Sequence, residues 1–160
     1  MFKFLRKNVI FTIFVGIVII FACMYGFDYV RAKTFNIEIV SISPESPVAD
    51  GETPVNIEVR LTKNNKPVEG HYLYMFPKNG GLMQKNRVET DADGQASFTY
   101  YPYRSTILQP ARTVTIRVYD EDNSIFVVVN AVTDFEIQLK EKEQWSPIYW
   151  KESRKTTMAT

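Results

Sequence analysis

One cysteine and one histidine are all that this chain of 160 residues offers of the side chains from which most metal centres and nucleophilic sites are built. A single thiol closes no intramolecular disulfide, and one Cys with one His falls short of a zinc ligand set. Any Ser/His/Asp or Cys/His arrangement would have to use His71, which stands at the head of a strand-like segment and reads as structural. The phosphate-cradling and nucleophile-elbow motifs GxGxxG, GxxxxGK[ST] and GxSxG do not occur. An excess of basic charge is missing too: 19 Lys+Arg stand against 18 Asp+Glu, a net charge of +1, so the bulk balance gives no reason to expect nucleic acid as a partner. No enzyme activity and no cofactor are expected. What the chain does have is an aromatic content of 14%, with 11 Phe and 9 Tyr, which a disordered chain would not carry.

The near-zero charge is a sum of unlike parts. Residues 1–33 hold five basic groups and one acid, residues 34–142 eleven and fifteen, and residues 143–160 three and two. The first part places Lys3, Arg6 and Lys7 before an uncharged run from Val9 to Phe27. Nineteen helical residues at 1.5 Å rise cover about 28 Å, close to the roughly 30 Å of a bilayer's hydrocarbon. The expectation is a cytoplasmic flank over 1–7 and a transmembrane helix over 8–30, with Val9, Phe14, Ile20 and Phe27 among the anchoring side chains. The positive flank keeps the N-terminus in the cytoplasm and sends the remainder outside, as a single-pass protein of the cell membrane. Two readings compete. A cleaved signal peptide has a shorter apolar core and a small-residue site, for which Val30-Arg31-Ala32 is a poor match. A lipoprotein signal would use Cys23, but Phe21 before it and Met24-Tyr25-Gly26-Phe27 after it do not suit that pattern. All three place the rest of the chain outside the cytoplasm, next to the lipid bilayer.

From residue 34 the pattern becomes alternation. Phe35, Ile37 and Ile39, then Val55, Ile57, Val59 and Leu61, then Ala96, Phe98 and Tyr100, then Val114, Ile116 and Val118, then Phe135, Ile137 and Leu139 each interleave with polar residues, as half-buried strands do. Tyr72 to Phe76 and Ile125 to Val129 are apolar throughout and read as central strands covered on both faces. Turn residues separate the runs: Ala49-Asp50-Gly51, Asn64-Asn65-Lys66-Pro67, Asn79-Gly80-Gly81 and Asp91-Ala92-Asp93-Gly94, the last read as a hairpin. About seven short strands over 34–142 imply an all-β, Ig-like antiparallel β-sandwich, preceded by the one N-terminal transmembrane α-helix; a closed barrel fits the same pattern.

The segment Val48-Ala-Asp-Gly-Glu-Thr-Pro-Val-Asn-Ile-Glu-Val-Arg-Leu-Thr-Lys-Asn-Asn-Lys-Pro-Val-Glu-Gly70, followed by Thr90-Asp-Ala-Asp-Gly-Gln-Ala-Ser-Phe98, resembles the group 1 bacterial Ig-like domain of the invasin and intimin adhesins. The likeness covers about residues 36–132, with both motifs in order. It implies a spacer or recognition module, and by analogy an adhesin, although those adhesins carry tandem copies and this chain carries one.

Other candidates are weaker or lie at the surface. Asp91, Asp93 and Asp120-Glu121-Asp122-Asn123 miss the EF-hand pattern and read as turn residues, so no metal is expected. Two aromatic clusters read as partner contacts, with packing of Trp145 and Trp150 back onto the sandwich, or their resting at the membrane headgroup level, as the competing readings. One is Tyr101 and Tyr103 in Tyr100-Tyr-Pro-Tyr-Arg104; the other is Trp145, Tyr149 and Trp150 in the aromatic and polar tail over 143–160. The expectation is a non-catalytic module that binds or organises other protein subunits in a hetero-complex or oligomer, as an accessory of a secretion, conjugation or surface-filament machine. The alternative is a surface module that stacks a glycan on its exposed aromatics.

Overall fold

The structure, a computed structural model, describes residues 2–142, with side chains described from residue 9 onward. One helix, α1 (Phe2–Ala32), leads into nine strands: β1 (Phe35–Ser43), β2 (Val55–Lys63), β3 (Lys66–Pro67), β4 (Tyr72–Pro77), β5 (Leu82–Met83), β6 (Arg87–Glu89), β7 (Gln95–Tyr101), β8 (Thr113–Asp120) and β9 (Val132–Gln138). Within α1, Val9–Ala32 is long and apolar enough to cross a membrane, and most of its side chains stand exposed, Asp28 and Ala32 being the buried exceptions.

The strands form two antiparallel sheets. One has the order β1-β2-β7-β5, with β3 also pairing β2; the other has the order β6-β4-β8-β9. The alternating residues face each other across the sandwich. Val55, Ile57, Val59 and Leu61 of β2 and Phe98 and Tyr100 of β7 meet Leu73 and Met75 of β4 and Val114, Ile116 and Val118 of β8, each at most 1% exposed. Two packed sheets, not a closed barrel, therefore enclose the core. β1 keeps its alternation only through Phe35 and Ile37; a register shift between Ile39 and Ser41 interrupts it, and Ile42 beyond the shift returns half-buried against the core.

Local chemistry sets the turns. Asn64 and Asn65 adopt φ 51° and 63° at the two-residue turn after Lys63↔Lys66, the backbone that such hairpins demand and that Asn tolerates. Asp50 accepts the amides of Glu52 and Thr53 at 2.9 and 2.8 Å and the Thr53 hydroxyl at 2.6 Å, closing an Asx turn before β2. Asp91 accepts the amides of Asp93 and Gln95 in the same way. The Asp93-Gly94 turn differs from the expected hairpin: β6 and β7 lie in different sheets, so the turn carries the chain across the sandwich. Gly94 has φ +71° there, and a Cβ would stand 2.5 Å from the Leu61 carbonyl oxygen.

Two segments correct the expectation of doubly covered strands. Tyr72–Pro77 is a strand inside its sheet, but only Leu73 and Met75 face the core; Tyr72, Tyr74 and Phe76 stay half-exposed on the outer face. Ile125–Val129 is not a strand at all. It lies in the β8–β9 loop, where Ile125 and Phe126 are each 54% and Val128 84% exposed. Its amides have another partner: Asp28, fully buried near the end of α1, accepts Ile125, Phe126 and Val127 N–H at 3.0, 2.7 and 2.6 Å. A carboxylate satisfied by three donors leaves those amides unavailable to a sheet.

Candidate functional site

The helix enters the sandwich beside Phe35 and the β2–β3 turn, where Asn64 N–H donates to the Thr34 carbonyl at 3.0 Å. The registers then define the opposite end, which holds Val55, Tyr100, Pro77, Thr113 and Gln138. Residues 102–112 connect β7 to β8 at that far end. Thr106 and Gln109 exchange backbone hydrogen bonds at 2.8 and 3.1 Å, and the Thr106 hydroxyl accepts the Gln109 amide, so Ile107 and Leu108 form a tied two-residue tip. They are 90% and 98% exposed, beyond any other large apolar residue among those described.

Tyr101 and Tyr103, expected as partner contacts, stand at this end. Tyr101 is half-exposed and pairs across the sheet with Leu82, itself 74% exposed. Tyr103 is committed in part to the loop: its hydroxyl donates to the Pro110 carbonyl at 2.9 Å, and the Arg112 guanidinium lies 5.9 Å from its ring centre. The neighbouring Tyr100 is buried, donates to the Gly80 carbonyl at 2.9 Å, and burial pushes its phenol well above the usual tyrosine range. Lys142, the last described residue, shares a recess of about 160 Å³ with Ile107 and Pro110. The described chain thus ends beside the tip; Trp145, Tyr149 and Trp150 lie outside the described residues. Val9, Phe14, Ile20 and Phe27 all sit on α1 and are 55%, 62%, 59% and 52% exposed.

A second surface had no warning in the alternation. On the outer face of β4 and β8, Tyr74 stacks on Tyr119 at 5.3 Å between centroids, and Phe76 meets Tyr119 edge-on at 6.4 Å. Arg87 covers the Tyr72 ring at 3.6 Å and pairs with Glu121 at 2.6 Å. At the other side Arg117 makes a two-toothed contact with Asp134 at 2.7 and 2.9 Å, and Lys78 adds a third hydrogen bond at 2.7 Å. Those contacts hold the Asp134 carboxyl well below the usual range.

Asp91, Asp120, Glu121 and Asp122 all serve structural hydrogen bonds or ion pairs. Asp120 is buried and its carboxylate accepts His71 Nδ1–H at 2.9 Å, with the His71 ring stacked 5.6 Å from Phe35. Burial raises the Asp120 pKa, opposed by the His71 and Asp122 hydrogen bonds. Asp122 accepts the Tyr72 amide at 2.7 Å. Among the described residues, no three of His, Cys, Asp and Glu gather where they would hold a metal ion.

Two face-to-face antiparallel sheets behind one long apolar helix make this an Ig-like β-sandwich with an N-terminal helix. Its fold is similar to the D00–D0 region of intimin, at 12% identity and a TM-score of 0.48 over 66% of this chain and 48% of that one. It is also similar to a 282-residue C-terminal fragment of intimin, solved in complex with the intimin-binding domain of the translocated intimin receptor, at 19% identity and a TM-score of 0.47 over 64% and 33% of the two chains. A conjugative transposon lipoprotein from Bacteroides eggerthii matches at 19% identity and a TM-score of 0.39, over 65% of this chain and 96% of the other. The chain spans half or less of the intimin chains it resembles. No protein-family profile and no curated protein sequence matches it.

Proposed function

We propose that this protein is a membrane-anchored, extracytoplasmic, non-catalytic Ig-like module that holds a protein partner at its far end, as an accessory subunit of an envelope assembly. The observation that carries the reading is the Ile107–Leu108 tip, two apolar side chains held almost wholly in water by a tied turn. Fixed apolar side chains of that kind gain free energy only when a partner covers them, by about 1.5–3 kcal/mol for each side chain fully buried. Leu82, Tyr101 and Tyr103 extend the surface, and Lys142, after which the sequence runs on to Trp145, Tyr149 and Trp150, lies beside the tip.

The anchor half of the proposal is supported by Lys3, Arg6 and Lys7 ahead of the apolar run, which favour a cytoplasmic N-terminus. An uncleaved helix is supported by Asp28, because removal of the chain up to Ala32 would strip three loop amides of their acceptor.

The test replaces Ile107 and Leu108 with Asp in the full chain and measures binding and stability together. Exposed substitutions change stability by only about 0.5 kcal/mol, so unfolding is expected to stay unchanged. A photo-crosslinker at Leu108 is expected to trap one discrete protein in native membranes, and that product is expected to disappear in I107D. Equal crosslinking from Ser97, on the outer face of the first sheet, would overturn the proposal.

A further inference from the structure

The β8–β9 loop presents Ile125, Phe126 and Val128 outward, yet it is tightly fastened. Besides the three amides on Asp28, the Phe126 ring meets Phe27 edge-on with centroids 5.7 Å apart. Arg31 Nε donates to the Asn123 carbonyl at 2.7 Å. Asn123, fully buried, closes the loop on itself by donating to the Val129 carbonyl and accepting the Ala131 amide at 2.8 and 3.1 Å. These ties fix the height of the loop along α1.

That height coincides with a boundary. The uncharged run ends at Phe27, and its length of about 28 Å fills the hydrocarbon of a bilayer. A ring packed on Phe27 therefore sits where acyl chains give way to headgroups. The helix shows interfacial chemistry at the same level: Tyr25 and Tyr29 are 53% and 45% exposed, and Lys33 Nζ lies 4.4 Å from the Tyr29 ring centre. An ionised Asp28 is tolerable there because protein amides, not water, solvate it.

We propose that the β8–β9 loop seats the domain on the lipid bilayer: Ile125, Phe126 and Val128 enter the outer interfacial layer beside α1, and Asp28 is the residue that positions them. This rests on the reading of α1 as a transmembrane helix. The seating removes the swing of a domain on a free linker and aims the Ile107–Leu108 tip away from the lipid.

The experiment uses the full chain with Cys23→Ser and one environment-sensitive label on a new cysteine at Val18, Leu108 or Val128. Each is reconstituted in phosphatidylcholine–phosphatidylglycerol vesicles with nitroxide-bearing lipids. The label at Val18 is expected to be quenched by deep nitroxides, the one at Val128 by shallow nitroxides, and the one at Leu108 by aqueous quencher only. Asp28→Ala is expected to cut quenching at Val128 several-fold and leave Val18 unchanged. If Val128 behaves like Leu108 while Val18 is deep, seating is wrong and the transmembrane reading stands. If Val18 is itself open to aqueous quencher, both fall. Unaltered quenching at Val128 in D28A removes Asp28 from the positioning role.

Discussion

Asp28, Asp50 and Asp120 each accept backbone amides, yet protons reach them differently. At Asp50 burial opposes ionisation, but the Thr53 hydroxyl and amide and the Glu52 amide outweigh it and hold the carboxyl down at about 2. A folded-state pKa below the unfolded value near 3.9 stabilises above that value and loses the contribution as pH falls toward 2. Asp50→Asn is expected to cost about 1–2 kcal/mol at pH 7 and to narrow its gap to the wild type between pH 4 and 2. Urea midpoints across that range check it, and a gap that does not depend on pH would refute it. At Asp120 the sign is reversed. Burial raises its pKa, so the folded state resists ionisation, and His71 is the group that makes the charged form tolerable. His71→Ala is therefore expected to cost about 1–3 kcal/mol, more at pH 7 than at pH 4. Thermal unfolding at the two pH values measures the difference.

At the scale of elements, the alternating strands were legible because one face meets a core and the other meets water, and β2 and β8 carry the pattern without interruption. Asp50 and the Asn64-Asn65 pair were legible because their side-chain chemistry is local. The uniformly apolar runs were not. Tyr72–Phe76 reads the same whether a second layer or only neighbouring rings cover its outer face. Ile125–Val129 was misread because its partner is one carboxylate 97 to 99 positions earlier, at the end of a helix that seemed merely an anchor. The far tip was missed altogether, since Ile107-Leu108 is too short for any period to show. The inter-sheet turn at Gly94 gives this scale its own test. Gly94→Ala adds a Cβ at φ +71° and 2.5 Å from the Leu61 carbonyl, so it is expected to destabilise by about 1–3 kcal/mol. Ala92→Gly, in the same turn but exposed, is expected to change stability by less than about 1 kcal/mol. Denaturant unfolding of both variants separates local strain from general sensitivity of the turn.

For the whole molecule, differently charged segments become zones: a basic flank ahead of the apolar run and an acidic sandwich fixed to the end of its helix, with an apolar tip at the far end. The ties at Asp28 and Arg31 make α1 part of the fold rather than a tether. Amide exchange reports this directly. The Ile125, Phe126 and Val127 amides are expected to exchange slowly in the full chain and to approach loop rates in D28A, while the β2 and β8 amides remain protected. Placement across the membrane decides whether the tip is available to a partner at all. The most direct measurement is therefore cysteine accessibility in intact cells, using Cys23→Ser chains with Lys3→Cys or Leu108→Cys and a membrane-impermeant maleimide. Leu108→Cys is expected to label in intact cells and Lys3→Cys only after permeabilisation, on a chain of full length. Labelling in the reverse order, or a mature chain that has lost residue 3, would contradict it.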